Sequence, residues 1–236
     1  MIEASKFILR GDYIKKLTMF DIFKKKYLYF PGCLTKFVMP EIVENYKKIF
    51  MRLNLKIYSM DSLNCCGAIT YRNGYSKDFE ELRSKNLNLL KESGTKKIVT
   101  NDPSCMNIFN ELYSVDTIHV SQLIAKNERK LPVKFDERVN YYDGVETSVY
   151  DEPRQVLGAL GFEVIELERN RENSIISGAE GGLIQNLPSL ANKISKKIFE
   201  MCTEKKLIVS DPLLYYHLKN NAPKNLQVFE LSEVVL

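Results

Sequence analysis

Two cysteines stand side by side in "NCCGAITYRNGY" (64–75), and Gly67 follows them. Neighbouring cysteines bond one another only with strain, so Cys65 and Cys66 are set up for partners elsewhere. Cys33 and Cys105 are the partners on offer. Each of the four follows a short apolar run that reads as a strand: Cys33 after "YLYF" (27–30), Cys65 and Cys66 after "LKIY" (55–58), Cys105 after "KIVT" (97–100). In an open α/β sheet, strand ends of this kind converge on one crevice. Four thiols from three loops are therefore expected to meet. Thiolates gathered in this way select soft metals, zinc or iron–sulfur. Thiol–disulfide exchange by the vicinal pair is the metal-free alternative. Asp102, in "NDPSC" (101–105), places a carboxylate three residues before Cys105. It is either an oxygen ligand or the N-cap of the following helix.

The elements that position these residues recur along the chain. "TIHV" (117–120) reads as a fourth strand. Between the first two strands, "PEIVENYKKIFMRL" keeps Ile42, Val43, Tyr46, Ile49, Phe50 and Leu53 at helical spacing behind Pro40. "SKDFEELRSKNLNLLKESG" is a second helix, with Phe79, Leu82 and Leu90 inward and Gly94 as its stop. The same order returns in "VNYY" (139–142), a helix from "DEPRQVLGAL", "EVIEL" (163–167), the helix "LPSLANKISKKIFEMC", "LIVS" (207–210) and "QVFE" (227–230). Cys33 falls opposite Val145 at an offset of 112, and Gly67 opposite Gly178 at 111. "NDPSC" falls opposite "SDPLL" at 109, and Ser121 opposite Ser232 at 111. Anchors this regular point to a tandem repeat. The expectation is two pseudo-symmetric, Rossmann-like α/β lobes with mostly parallel sheets: an arm over 1–26, a first lobe over 27–130 and a second over 131–236.

Written as it stands, the first repeat is C-x31-C-C-G-x34-D-P-S-C, from Cys33 to Cys105. This resembles the cysteine-rich CCG domain found in the B and D subunits of heterodisulfide reductase, and in the iron–sulfur subunits of glycolate, lactate and glycerol-3-phosphate oxidation. The resemblance covers roughly residues 27–236 and includes the duplication. It implies a [4Fe–4S]-type cluster, cubane or non-cubane, on Cys33, Cys65, Cys66 and Cys105. It also implies a redox subunit that relays electrons or contributes to disulfide reduction, so the chain is expected to be an oxidoreductase subunit working with others. Its partners would be a ferredoxin-like iron–sulfur protein, a flavoprotein or both, with a disulfide as possible substrate. The alternative is a zinc-stabilised structural or interaction subunit using the same thiols. Asp102 stands where the family has the first cysteine of C-x-x-C. "RNRENSIISGAEGGL" (169–183) resembles a second CCG segment, but Ile176 and Ser177 replace the cysteines, and Val145, Asp211 and Leu214 complete a set without thiols. That second crevice is expected to be filled with apolar bulk.

The remaining candidates have structural readings beside functional ones. Cys202 continues a row of Leu187, Leu190, Ile194 and Ile198, which makes it a core thiol on a helix face. His119 and His217 are the only histidines, proton donors or buried structural groups. Tyr71, Arg72 and Tyr75 follow the CCG turn, where they would either donate to cluster sulfurs or simply pack. Gly181 and Gly182 lack dinucleotide spacing.

Apolar residues make up 44% and charged residues 27%, the range of a chain with a real core. A net charge of +4 is too mild to argue for nucleic acid. A basic excess lies in residues 6–26 and ends in Lys24, Lys25 and Lys26, a solvated or partner-facing arm or an anion site. Five cysteines is an odd number, and no secretory pattern or apolar span accompanies them. A disulfide scaffold is thus disfavoured, and the cytoplasm is the expected compartment.

Overall fold

A computed structural model describes residues 27–63 and 65–236, so the basic arm and Asn64 lie outside the described residues. The first sheet contains β1 (Tyr27–Phe30), β2 (Ile57–Ser59), β3 (Ile98–Thr100) and β4 (Thr117–His119), in the order β2-β1-β3-β4. The second contains β5 (Glu137–Tyr141), β6 (Phe162–Glu166), β7 (Lys206–Val209) and β8 (Gln227–Glu230), in the order β6-β5-β7-β8. Every strand pair is parallel. The near-continuous apolar strands follow from this, because a parallel sheet is covered on both faces. β2 begins two residues later than its apolar run, at Ile57, which pairs with Tyr27 at the start of β1.

Helices α1 (Cys33–Val38) and α2 (Pro40–Arg52) follow β1, and α3 (Ala68–Arg72) and α4 (Ser76–Ser93) follow β2. Next come α5 (Pro103–Glu111) after β3 and α6 (Val120–Ala125) after β4. The second lobe has α7 (Glu152–Ala159) after β5, α8 (Leu183–Asn186) and α9 (Pro188–Glu200) after β6, α10 (Pro212–Asn221) after β7 and α11 (Leu231–Val235) after β8. The stripe foreseen for α2 is buried as a whole, from Ile42 to Leu53. In α4, Phe79 and Leu90 are buried, Leu82 is half-buried, and Asn86 is buried between them.

The lobes pack reciprocally. α6 lies against α7, and α11 lies against α2. Since α7 is the counterpart of α2 and α11 that of α6, each lobe offers the same two helices to the other, as a two-fold relation requires. One core cluster therefore runs through both lobes, including Tyr46, Phe50 and Ile124 with Val156, Leu157 and Leu231. Tyr29 and Val99 face this shared core, while Leu28, Phe30 and Ile98 face the other side of the sheet, the period of two in a strand. That second cluster also holds Cys66, Cys105, Phe79 and Phe109.

One helix departs from expectation. In α9 the buried residues are Ala191, Ser195 and Ile198, whereas Leu187 and Leu190 are exposed. The cause is a close approach: a Cβ on Gly178 would lie 2.4 Å from the Ala191 carbonyl oxygen. Only small residues let helix and turn come this near. α9 ends at Glu200, so Cys202 lies past it rather than on a buried helix face. It is half-buried, and its thiol donates to the Ile198 carbonyl at 3.3 Å. Burial pushes that thiol up to about 12.

Candidate functional site

The order β2-β1-β3 makes β1 the point where chain direction switches across the sheet, which is where open α/β folds leave a crevice at the carboxyl ends. Cys33 opens α1 just past β1, Cys65 and Cys66 follow β2, and Cys105 lies in the first turn of α5 past β3. The structure brings these thiols together as two pairs. Cys66 Sγ and Cys105 Sγ are hydrogen-bonded at 3.0 Å, both buried. Cys33 and Cys65, each half-buried, share a second thiol–thiol hydrogen bond. That bond holds the Cys65 thiol below its ordinary value, and the Gly67 amide donating to Cys65 Sγ at 3.3 Å acts in the same direction. Cys33, as the donor, is raised. Burial, more than any neighbour, raises Cys105. Among the described residues, no three His, Cys, Asp or Glu side chains converge tightly enough to hold a single metal ion.

Gly67 makes the turn possible. Its φ of 86° is in the left-handed region, and a Cβ there would meet the Phe79 ring at 2.8 Å. The peptide carbonyls of the cysteine pair are held by two residues that the motif does not contain. Asn86 Nδ2 donates to the Cys65 carbonyl at 2.8 Å and to the Tyr113 hydroxyl at 3.0 Å. Tyr113 in turn donates to the Cys66 carbonyl at 2.9 Å, and burial lifts its hydroxyl to about 12. Asn86 had one visible signal, a polar side chain four residues before Leu90 on the apolar stripe of α4.

Asp102 is an N-cap in this structure: its Oδ1 accepts from the Cys105 amide at 3.1 Å, ahead of Pro103 in the first turn of α5. Burial raises its carboxyl above the usual range. Asp211 does the same for α10 ahead of Pro212, accepting from Leu213 and Leu214 amides at 2.7 and 3.3 Å. The other anchors of the repeat correspond as closely. Gly178 has a φ of 93°, and Ser121 and Ser232 sit in capping boxes begun by His119 and Glu230.

The second crevice is closed differently from the apolar filling expected of it. Leu214 is buried, but Val145 and Ile176 are 49% and 43% exposed, too open to act as filling. A carboxylate occupies the turn instead. Glu180 accepts from the Ser177 amide at 3.0 Å, the Gly178 amide at 3.1 Å and the Ser177 hydroxyl at 2.8 Å. The backbone donors of that turn are thereby satisfied by the chain itself.

Both histidines are structural. His119 Nδ1 accepts from the Ser121 amide at 3.3 Å, Nε2 meets the Asn101 carbonyl at 3.2 Å, and burial pulls the ring down to about 4. His217 Nε2 meets the Ala191 carbonyl at 3.3 Å, and burial lowers it too. Tyr71 and Tyr75 are exposed, Tyr71 with its ring tilted on Phe79 at 5.0 Å. Arg72 turns to Ser104 Oγ at 3.2 Å and to Glu146 at 2.6 Å, not to the thiols. Gly181 and Gly182 both have left-handed backbone, with φ of 63° and 73°, at the kink that leads into α8.

Residues 27–110 match the model of the CCG cysteine-rich domain. Over these residues the chain is similar to that domain. The match spans β1 to α5 and so takes in all four thiols of the crevice. The chain is also 33% identical over 131 residues to FadF of Bacillus subtilis, a probable iron-sulfur-binding oxidoreductase, covering 50% of this chain and 19% of that protein. It is 25% identical over 189 residues to the D component of the dihydromethanophenazine:CoB–CoM heterodisulfide reductase of Methanosarcina mazei, covering 71% and 46%. With the EtfAB:quinone oxidoreductase of Syntrophomonas wolfei it shares 31% identity over 178 residues, 66% of this chain and 24% of that one. The chain thus spans less than half the length of these relatives. A crystal structure of a hypothetical protein from Helicobacter pylori has the same fold over 89% of this chain and 48% of its own, with a TM-score of 0.66 at 11% identity. No helix among the described residues is long and apolar enough to cross a membrane.

Proposed function

We propose that this chain is an iron–sulfur redox subunit of a heterodisulfide-reductase-like complex, with one [4Fe–4S]-type cluster held by Cys33, Cys65, Cys66 and Cys105. The observation that carries this reading is the delivery of four thiols by three loops of a CCG-like domain to one crevice. Their chemistry fits the group: soft sulfur donors, two of them buried, with the Gly67 amide donating to a third. Such a cluster, when bound, supplies transfer of single electrons. The chain's own part is to hold the thiols, cover them with Phe30, Phe79 and Phe109, and orient the cysteine peptides through Asn86 and Tyr113. Burial of this kind limits water at the sulfurs, a lever on reduction potential. The second lobe has no thiol at the matching positions, so we assign one cluster per chain. Electrons then enter and leave through partners, a ferredoxin-like iron–sulfur protein or a flavoprotein, in the cytoplasm. The relatives' names support a redox complex of this kind.

The test is anaerobic purification with iron, acid-labile sulfide and EPR measured together. Four irons and four sulfides per chain support the reading; zinc without sulfide replaces it with a structural metal site. Cys66→Ser should remove most of the iron, because a serine hydroxyl stays protonated at neutral pH, and Cys33→Ser, Cys65→Ser and Cys105→Ser should act alike. Cys202→Ser should leave iron unchanged. Asp102→Asn keeps a capping side chain and removes the charge, so an altered EPR signal there would make the carboxylate a ligand.

A further inference from the structure

The second lobe sends one loop across to the thiol site of the first. After β5 the chain turns through Gly144, Thr147 and Tyr150, with the Thr147 amide bonded to the Gly144 carbonyl at 2.9 Å and the Tyr150 amide to the Thr147 carbonyl at 3.0 Å. Two side chains of this built turn leave their own lobe. Glu146 Oε2 accepts from Ser104 Oγ at 2.7 Å, and Glu146 Oε1 pairs with Arg72 at 2.6 Å. Arg72 also donates to Ser104 at 3.2 Å, which closes a three-way contact. The Tyr150 hydroxyl reaches Met106 Sδ at 3.9 Å, and its ring lies parallel to His119 at 6.5 Å. Ser104 and Met106 flank Cys105, while Arg72 ends the short helix that starts directly after Cys66 and Gly67.

The arrangement follows from the two-fold relation. Glu146 comes immediately after Val145, the counterpart of Cys33, so its position belongs to the mouth of the second crevice. Two crevices related by such an axis face one another, and a long side chain past β5 lands on the loops past β2 and β3. There it bridges α3 and α5, the helices that begin at the buried Cys66–Cys105 pair. Those helices are joined through the thirty residues 73–102, so their relative placement depends on contacts of this kind.

We propose that Glu146 is a positioning residue for the thiol site of the opposite lobe, holding α3 and α5 and hence Cys66 and Cys105 in place. The second lobe, without thiols of its own in its crevice, serves the site as a clamp. The role in a redox subunit rests on the function proposed above; the clamping of the thiols does not need a metal to be measured.

The experiment compares full-length wild type with Glu146→Ala, Glu146→Gln and Ser104→Ala as reduced, metal-free proteins. Iodoacetamide alkylation is followed at each cysteine by peptide mapping. Buried thiols react through local opening, so loss of the clamp should speed Cys66 and Cys105 by about tenfold relative to Cys202 in Glu146→Ala. Cys202 lies in the other lobe and is half-buried, so it corrects for reagent and labelling yield, while the urea midpoint of each variant separates local release of α3 and α5 from a general loss of stability. Glu146→Gln keeps one acceptor, for Ser104, and loses the charged oxygen that pairs with Arg72, so it should fall between wild type and alanine, a partial rescue. Ser104→Ala should move the same two thiols. Unchanged Cys66 and Cys105 ratios in Glu146→Ala and Ser104→Ala would overturn the proposal. Iron and sulfide counts on wild type test the cluster reading separately; in the loaded protein the clamp predicts a changed EPR line shape for Glu146→Ala at full iron content.

Discussion

Cys66 and Cys105 stand 39 positions apart in the chain, and their sulfurs are in contact at 3.0 Å. A disulfide needs about 2.05 Å, a short closing movement for two thiols already aligned across a loop crossing. The vicinal pair Cys65–Cys66 would instead have to close a strained ring. Diamide reacts with accessible thiolates, so mild oxidation of the metal-free protein should crosslink the half-buried Cys33–Cys65 pair, where Cys65 is held low, and then the buried Cys66–Cys105 pair. Non-reducing peptide mapping checks this, and a Cys65–Cys66 bond as the main product would contradict the geometry. The crosslinked protein should take up no iron until it is reduced.

The two pseudo-equivalent glycines offer a controlled comparison. Both Gly67 and Gly178 have φ near 90°, where an L side chain costs about 1–2 kcal/mol. They differ in what a Cβ would meet. At Gly67 it is the edge of the Phe79 ring at 2.8 Å, which can tilt; at Gly178 it is the Ala191 carbonyl oxygen at 2.4 Å, which is fixed in a helix. Gly178→Ala should thus lower the urea midpoint more than Gly67→Ala does. The order reverses in bound iron, where only Gly67→Ala disturbs the amide that donates to Cys65.

Much of this architecture was legible because it is written in local order. Strand runs, Asp-Pro caps at Asp102 and Asp211, and the left-handed glycines at 67 and 178 each depend on a few adjacent residues, and so they recur at nearly equal offsets. What escaped the sequence is contact between distant segments. Leu187 and Leu190 keep helical spacing with Ile198, yet the approach of Ala191 to Gly178 decides which face is buried. Glu180 lies two residues past Gly178 and reads as a surface acid, but its length lets it fold back on the turn. Arg72 was a candidate donor to sulfur until a carboxylate from the other lobe claimed it. Tyr46 and Glu230 are 184 positions apart, and nothing near either one announces the other.

That last pair makes a prediction about pH. Glu230 is fully buried at the lobe boundary, accepts from the Tyr46 hydroxyl at 2.5 Å and the Ser232 amide at 2.7 Å, and has the Glu233 carboxylate nearby. Burial outweighs these hydrogen bonds and pushes its carboxyl up to about 7 from an ordinary 4.5. Between those values the folded chain keeps a proton that the unfolded chain has released. Stability therefore falls as pH rises through this window, by up to about 3 kcal/mol at 1.36 kcal/mol per unit. His119 acts in the opposite sense. Its ring is held down to about 4, so the unfolded chain binds the extra proton between there and about 6.5, and stability rises with pH across that range. The two terms offset one another in mildly acidic solution, which makes the wild-type profile a poor test. Glu230→Gln isolates the acid: its one amide oxygen keeps the Ser232 amide that Oε2 accepts, its NH2 donates to the Tyr46 hydroxyl that Oε1 had accepted from, and the titration is gone. Urea unfolding at pH 5 and pH 8 should show the variant gaining about 2–3 kcal/mol on wild type over that interval. A constant difference between the two proteins would mean that Glu230 is ionised throughout, with its charge balanced inside the lobe boundary.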